Sequence, residues 1–263
     1  MTRNATARRG APVTLLLQLA TLVVAVVVWL LFAIGPGSAA GVPTPWTTVE
    51  TAVELMGGSV YWTAVGNTVL TALIGLLLSI AIGIPLGLIN GSNRKVALSS
   101  QFLVDFGRCI PGVGILPLVL LVFGGTRPMA VALVIFGAVW PLLIQSTYAV
   151  QQVSPQMHQV GRAFHLTLGD RIRSIYVPSA TPFIMTGLRI SATISLLLSI
   201  SAEFLGGVDG IGRELFDTLT VNDSDKMFVY AFTAALLGIA LNGLLLQVQK
   251  RVLWWHPSQR EKA

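Results

Sequence analysis

The chain has 263 residues, of which 54% are hydrophobic and only 11% are charged. Because soluble domains carry about 25% charged residues, this composition excludes an ordinary water-soluble fold and predicts an integral membrane protein. The net charge of +6 does not require a nucleic-acid partner, and none is expected, because basic loops of membrane proteins stay in the cytoplasm.

Six apolar segments are long enough to cross a bilayer, which takes roughly 20 residues per helix. They lie at 13–34, 65–89, 103–123, 128–150, 183–205 and 228–248. Backbone groups in lipid must bond internally, and such unbroken apolar runs are not the alternating strands of a barrel. We predict an all-α, polytopic membrane protein with six transmembrane helices in one domain at 13–250, flanked by tails at 1–12 and 251–263.

Lysines and arginines fall unevenly on the two sides of this arrangement. With the N-terminus inside, the opposite side receives three, Arg127, Arg213 and Lys226. The cytoplasmic side receives twelve, namely Arg3, Arg8, Arg9, Arg94, Lys95, Arg162, Arg171, Arg173, Lys250, Arg251, Arg260 and Lys262. Since basic residues are concentrated in cytoplasmic loops, both termini are predicted to be cytoplasmic.

Two outer loops contain more than a simple turn. The loop at 41–61 has the pattern of a short amphipathic helix lying on the outer face of the membrane. The loop after Glu203 reads GGVDGIG, and its glycines permit tight bends of the backbone before the next helix begins.

The third apolar segment is interrupted by IPGVGILP, which contains Pro111 and Pro117. Such interruptions are tolerated where neighbouring helices or a water-filled cavity satisfy the freed backbone groups, so this segment is a candidate wall of a translocation path. A kinked packing helix is the alternative. Asp105 and Arg108 lie one turn apart just before it and can pair. Arg108 is a candidate to attract an anion, whereas a solvated interfacial face is the other interpretation.

The fifth apolar segment has a polar stripe. Ser191, Ser195, Ser199 and Glu203 are spaced four residues apart and therefore share one helix face. A carboxylate in hydrocarbon costs roughly 2.5–3.5 kcal/mol on insertion scales, so Glu203 should face protein or water. Ser195, Ser199 and Glu203 are candidates to line a translocation path. Close helix packing is the alternative, since small hydroxyl residues favour it.

The motifs of an enzyme are missing. None of the four lysines follows a glycine, so the sequence has no G-x-x-x-x-G-K-[ST] loop for nucleotide hydrolysis. The single cysteine, Cys109, and three scattered histidines predict neither a disulfide framework nor a metal site. We therefore expect a transport protein that is not itself an enzyme and that needs no cofactor.

The segment at about 151–182, a predicted cytoplasmic loop between the fourth and fifth apolar runs, is long and partly amphipathic. Met157, Val160, Phe164 and Leu168 recur at spacings of three, four and four, which places them on one helix face. An apolar helix face exposed to the cytoplasm needs a partner, and docking into a groove of another protein is the general solution.

This segment resembles the cytoplasmic motif of permeases from binding-protein-dependent ABC importers. That motif reads E-A-A, three residues, Gly, nine residues, Ile, one residue and Leu-Pro. Ile175 and Pro178 match its end, with valine in place of leucine between them. The sequence QVG at 159–161 then stands where E-A-A is expected, and His165 stands on the motif glycine.

Further stretches agree in their order along the chain. GNTVLTALIGLLLSIAIGIPLG and RCIPGVGILPLVLLVFG are similar to the second and third helices of the family. PSATPFIMTGLRISATISLLLSISAEFLGGVDGIG is similar to the branch that serves nitrate, sulfonate and taurine uptake. The similarity extends over about 63–237, and it implies a type I ABC importer permease fold in a bacterial plasma (inner) membrane.

The resemblance also implies partners and a mechanism. A cytoplasmic ABC ATPase dimer would supply energy, an extracytoplasmic solute-binding protein would deliver a small anionic solute, and two copies of the chain would form the path. The residues implied in ATPase coupling are Gln159, Val160, Gly161, Ala163, Phe164, His165, Leu168, Gly169, Ile175 and Pro178. The alternative is a self-contained secondary transporter or channel driven by an ion gradient, with Glu203 as its ion ligand.

Overall fold

The structure, a computed structural model, describes residues 10–153 and 155–254. Within these ranges the regular elements are helices. The α-helices are α1 (Gly10–Ile34), α2 (Pro45–Met56), α3 (Ser59–Ser92), α4 (Arg94–Cys109), α5 (Leu116–Phe123), α6 (Arg127–Gln151), α7 (Pro155–Ala163), α8 (Leu168–Arg171), α9 (Val177–Gly206), α10 (Ile211–Thr220) and α11 (Ser224–Val252). Short 3-10 turns occur at Ser38–Ala40 and Gly112–Ile115, and one π-helical turn at Ile172–Tyr176 precedes α9.

Five segments of the described chain, those built on α1, α3, α6, α9 and α11, are long and apolar enough to cross a membrane. The bent pair formed by α4 and the segment Gly112–Phe123 brings the number to six if it counts as one crossing. The all-α, polytopic fold predicted from the sequence is confirmed. The tail residues 1–9 and 255–263 lie outside the described part of the chain.

The third apolar segment, predicted at 103–123 with an interruption at IPGVGILP, is divided into two helices that meet at a sharp bend. α4 ends at Cys109, and the chain bends by 86° before it continues as Gly112–Phe123. The reason is local, because Pro111 has no backbone N–H to donate and restricts the residue before it to extended conformations. Ile110 is indeed extended, with φ −73° and ψ 122°.

The centre of the bundle is α6, which packs between α3 and α9. Met129, Leu133, Val134 and Leu142 of α6 are fully buried. The backbones of α3 and α6 come very close at Gly87, where a Cβ would overlap the carbonyl oxygen of Leu143. Small residues at such crossings allow the close packing that holds membrane helices together.

The two ends of the helix bundle differ. We call the end that carries α7 the α7 end, and the end that carries α10 the α10 end. At the α10 end, α2 and α10 pack against α11, and Tyr61 and Tyr230 stack in a small buried cluster with ring centroids 6.0 Å apart. The predicted amphipathic helix at 41–61 is present as α2, although Tyr61 itself belongs to α3. Asp223 caps α11 and accepts a hydrogen bond from the Lys226 side chain, which holds the pKa of Asp223 below its usual range.

The segment predicted as a loop at about 151–182 begins where α6 ends, at Gln151, but α9 already begins at Val177, before the predicted end of the loop. The residues between them form α7, α8 and the π-helical turn at the α7 end. α7 is thus connected to the membrane-spanning helix α9 through α8 and the π-helical turn.

Candidate functional site

A buried carboxylate joins three helices near the α10 end. Glu203 on α9 is fully buried, and its Oε2 accepts hydrogen bonds from the Thr68 hydroxyl of α3 at 2.8 Å and from the Gly212 N–H of α10 at 3.0 Å. The Ser199 hydroxyl lies 3.2 Å from Oε1. Charge-assisted hydrogen bonds of this kind offset the free-energy cost of removing a carboxylate from water. Glu203 therefore fixes α3, α9 and α10 to one another.

The same contacts cap the N-terminus of α10. The first backbone N–H groups of a helix have no partner within the helix, and a negative charge there is favourable. The N–H of Ile211 donates to the Thr68 hydroxyl oxygen at 2.9 Å, and that of Gly212 donates to Glu203. Thr68 and Glu203 thus serve as the capping groups of α10, although both lie on other helices.

Gly210 belongs to this arrangement because of its size. A Cβ at this position would overlap the carboxylate carbon and both carboxylate oxygens of Glu203. The glycine-rich sequence after α9 thus allows the backbone to lie directly on the buried carboxylate, in addition to permitting the bend.

The serine stripe of α9 faces the interior of the bundle. Ser191, Ser195 and Ser199 are buried, and the Ser191 hydroxyl donates to the Ala138 carbonyl oxygen of α6 at 2.7 Å. The Ser195 hydroxyl donates to the Ser191 carbonyl oxygen at 2.8 Å within α9 itself. These are the contacts expected of close helix packing. That Ser195, Ser199 and Glu203 line a translocation path stays a prediction.

The break between α4 and α5 opens onto a cavity. Arg108, Pro111 and Trp140 line this space of about 570 Å³ together with apolar side chains of α9. Arg108 pairs with Asp105 at 2.9 Å, as the sequence predicted, and both side chains are about half exposed. Pro117 lies in the first turn of α5, is exposed, and does not line this cavity.

An apolar ridge is exposed at the α7 end. Phe164 and Leu168 are 74% and 77% exposed, and Val160 of α7 is 45% exposed. The prediction of one helix face through Leu168 is wrong, because α7 ends at Ala163 and Leu168 begins α8 after the turn at His165. Gln159, Ala163 and Gly169 are also exposed around it. We call Val160, Phe164 and Leu168 the α7 ridge. So large an exposed fraction on neighbouring apolar side chains marks a surface that binds lipid or another protein.

α7 packs against the π-helical turn that precedes α9. Gly161 is buried against Ile175, where a Cβ would lie 3.2 Å from Cδ1 of that residue. Arg171 Nε donates to the Leu166 carbonyl oxygen at 3.0 Å and closes the turn between α7 and α8. Pro178 occupies the first turn of α9. α7 therefore rests on the π-helical turn that leads into α9.

No cluster of three or more His, Cys, Asp and Glu side chains suited to a metal ion occurs within 10–153 and 155–254.

Comparison with known families now identifies the chain. A family model described as "Binding-protein-dependent transport system inner membrane component" matches residues 79–254. The chain belongs to this family. It is a multi-pass inner-membrane permease of the ABC transport class, and the family resemblance predicted from its sequence is confirmed. α1, α2 and the first part of α3 precede the matched region of the permease.

Characterised relatives cover most of the permease. It is 25% identical over 86% of its length, and 82% of the relative's, to a putative aliphatic sulfonate transport permease, SsuC, of Bacillus subtilis. It is 26% identical to the bicarbonate transport permease CmpB of Synechococcus elongatus, with 91% and 90% of the two chains covered. It is 27% identical to the nitrate import permease NrtB of Leptolyngbya laminosa, with 68% and 64% covered.

Solved structures confirm the fold. The inward-facing MetNI methionine ABC transporter matches 73% of the permease and 96% of its own chain, with a TM-score of 0.63 at 16% identity. An amino acid ABC transporter matches 73% and 94% of the two chains, with a TM-score of 0.61 and 16% identity. The permease thus has the type I importer fold predicted from the sequence.

The structure explains the family glycine at the position of His165. The turn after α7 places His165 at φ +48°, in the left-handed region that glycine adopts without strain. The N–H of His165 donates to the Arg162 carbonyl oxygen, and that of Leu166 donates to the Gly161 carbonyl oxygen, so the turn closes the C-terminus of α7. Histidine tolerates this conformation better than most residues do.

Replacing His165 by valine should loosen this turn, since a β-branched residue at positive φ costs about 1–2 kcal/mol. We expect trypsin to cut at the neighbouring arginines about 5–30 times faster in His165→Val than in the wild type. His165→Gly and His165→Asn are matched controls that should be cut at the wild-type rate. Equal cleavage of all four proteins would show that the turn does not depend on this backbone conformation.

Sequence reasoning missed several residues that matter in the structure. Thr68 gave no signal, because only the fold brings α3 to Glu203. For Gly210 the sequence indicated only that the backbone could bend tightly there. Arg189 of α9 pairs through its Nε with Asn242 Oδ1 of α11 at 3.0 Å, whereas the sequence showed only a cation inside an apolar run.

Proposed function

We propose that this permease is the transmembrane subunit of an ATP-driven importer for a small anionic solute. Relatives that match most of the chain are named for transport of aliphatic sulfonates, bicarbonate and nitrate. All three are small oxoanions. A solute-binding protein would deliver the oxoanion, and two copies of the permease would enclose its path.

The observation that carries this proposal is the α7 ridge. It is a short, exposed apolar surface next to Gly161, which packs on Ile175 of the π-helical turn that leads into α9. A cleft in a separate ABC ATPase would bind the ridge as a helix in a groove. Nucleotide-driven closure of the ATPase dimer would then displace α7, and α9 would follow.

The proposed orientation places the α7 end in the cytoplasm. The twelve basic residues assigned to that side, against three on the other, favour it. An ATPase must reach the α7 ridge from the cytoplasm, whereas the α10 end would face the solute-binding protein. Both termini would then be cytoplasmic, since six crossings return the chain to the side on which it started.

The solute path is proposed to run beside the break between α4 and α5. Arg108 and Pro111 face the cavity there, whereas Pro117 lies outside it in the first turn of α5. The Ser195, Ser199 and Glu203 stripe would support the path from within the bundle. A change in α9 packing would reshape this cavity, because Ile190, Ile194 and Leu197 form its opposite wall.

Site-directed cross-linking tests the α7 contact. The exposed Cys109 is first replaced by serine, and Phe164→Cys or Leu168→Cys is then introduced into the permease co-expressed with its ATPase. We expect a bifunctional maleimide to join both variants to cysteines placed around the ATPase cleft. Val60→Cys, which is 61% exposed at the α10 end, is the matched control and should not react with the ATPase. Cross-linking of Val60→Cys alone, or of neither α7 variant, would overturn the proposed docking.

A further inference from the structure

A polar cleft between α9 and α11 contains a cation inside the membrane-spanning region. Arg189 of α9 and Asn242 and Gln249 of α11 line it together with Thr186 and Thr193, around a volume of about 380 Å³. Neither Arg189 nor Asn242 is fully buried, so the cleft is reachable from outside the bundle. A charged side chain at such a depth is costly, and it marks a site for a ligand or an ion path.

The depth of the cleft follows from the helix geometry. Arg189 lies roughly 18 Å along α9 from Val177, and Asn242 lies roughly 15 Å along α11 from Val252, since an α-helix rises about 1.5 Å per residue. Both helices reach the α7 end at those residues. Arg189 and Asn242 therefore lie at about the same level of the bundle, within the apolar runs at 183–205 and 228–248 that are assigned to the membrane.

The charge of Arg189 is not neutralised by a neighbouring carboxylate. Among residues 10–153 and 155–254, the ion pairs involve Arg108, Arg213 and Lys226, and none involves Arg189. Because no carboxylate neutralises Arg189, its guanidinium group is available to attract an anion into the cleft.

Arg189 and Asn242 supply hydrogen-bond donors to the cleft. Arg189 uses its Nε to bind Asn242 Oδ1, which leaves both terminal NH₂ groups of the guanidinium for a ligand. Because Asn242 accepts through its oxygen, its own NH₂ group remains a donor. The hydroxyls of Thr186 and Thr193 donate to the carbonyl oxygens of Pro182 and Arg189, so they shape the cleft without contributing donors to an anion.

We propose that Arg189 and Asn242 form a binding station for a small oxoanion between α9 and α11. A planar guanidinium binds two oxygens of a nitrate, bicarbonate or sulfonate group at once, and the Asn242 amide contacts a third. The anchoring of Nε by Asn242 fixes the guanidinium plane for this contact. The assignment of the ligand as the transported solute rests on the proposed function above, whereas the presence of an oxoanion site rests on the cleft itself.

The test measures anion binding to the purified permease in a neutral detergent. Trifluoromethanesulfonate serves as the probe, and its ¹⁹F linewidth reports binding. We expect broadening in the wild type, reversed by methanesulfonate or nitrate. Arg189→Gln should weaken probe binding at least tenfold, and Asn242→Leu severalfold. Arg213→Gln, at the opposite end of the bundle, is the matched control and should bind like the wild type.

Correct folding of each variant is checked by size-exclusion elution and thermal unfolding, and Arg189→Lys provides a second variant that keeps the charge. Lysine should bind the probe more weakly than arginine because it cannot contact two oxygens in one plane. Equal binding by the wild type and Arg189→Gln would overturn the site, as would displacement by phosphatidylglycerol alone. No ATPase is present in this assay, so its failure is distinct from a failure of the proposed importer function.

Discussion

Replacing Phe164 by aspartate should abolish co-purification of the ATPase while leaving the permease folded. Phe164 is 74% exposed in the permease, so the substitution removes little packing within the chain. In the complex its ring would be buried, and burial of a phenylalanine contributes about 1.5–3 kcal/mol. An unpaired carboxylate in the same groove would add a desolvation penalty. We expect the affinity for the ATPase to fall at least 100-fold, which corresponds to about 2.7 kcal/mol.

The control for this substitution introduces an aspartate at an exposed apolar position at the other end of the bundle. Val221 is 72% exposed in the turn after α10, so Val221→Asp makes an equally exposed aliphatic-to-acid change away from α7. It should leave the ATPase bound. The measurement is the amount of ATPase retained on an affinity-tagged permease, normalised to the wild type. Retention of the full amount by Phe164→Asp would show that the α7 ridge is not the docking surface.

Removing the carboxylate of Glu203 should have the largest effect on stability. Glu203→Ala leaves the Gly212 N–H without its acceptor in a fully buried position, whereas the Thr68 hydroxyl can still donate to the Ala64 carbonyl oxygen. A buried group left without a partner costs about 1–3 kcal/mol, so we expect the permease to be destabilised by about 1–3 kcal/mol. Uptake should fall with it, because α10 loses its cap.

Two further variants test whether the loss of stability comes from the carboxylate itself or from any substitution in α9. Glu203→Gln keeps the shape but replaces one of the two accepting carboxylate oxygens by an NH₂ group, and we expect a loss of about 1–2 kcal/mol. Ser201→Ala removes a hydroxyl that donates only to the Leu197 carbonyl oxygen of its own helix, and it should stay within about 0.5 kcal/mol of the wild type. Unfolding is followed in detergent by intrinsic fluorescence. A Glu203→Ala protein as stable as Ser201→Ala would assign no structural role to the carboxylate.

The sequence was sufficient for the membrane spans and insufficient for the bend in the third. Hydropathy identifies α1, α3, α6, α9 and α11 because each is a single apolar run of the required length. Pro111 indicates where the third segment is interrupted. The 86° angle depends on how α4 packs on α6, where Gly107 of α4 lies directly against the Trp140 ring, and no local pattern encodes that contact.

The residues of the candidate sites were likewise only partly predictable from the sequence. Helical periodicity placed Ser199 and Glu203 on one face of α9, and the structure confirms that they lie on one face. Helical periodicity could not identify Thr68, whose hydroxyl donates to Glu203 across a separation of 135 residues along the chain. Counting along the family motif located His165 on the motif glycine, but only the backbone conformation shows why that position favours glycine.

The central claim is that transport by this permease is driven by a separate ATPase acting on α7. The direct measurement is accumulation of nitrate, methanesulfonate or bicarbonate in vesicles that contain the permease, its ATPase and its solute-binding protein. We predict accumulation that requires ATP and all three components, and that disappears with Phe164→Asp. Accumulation by the permease alone, driven only by an ion gradient, would contradict the account.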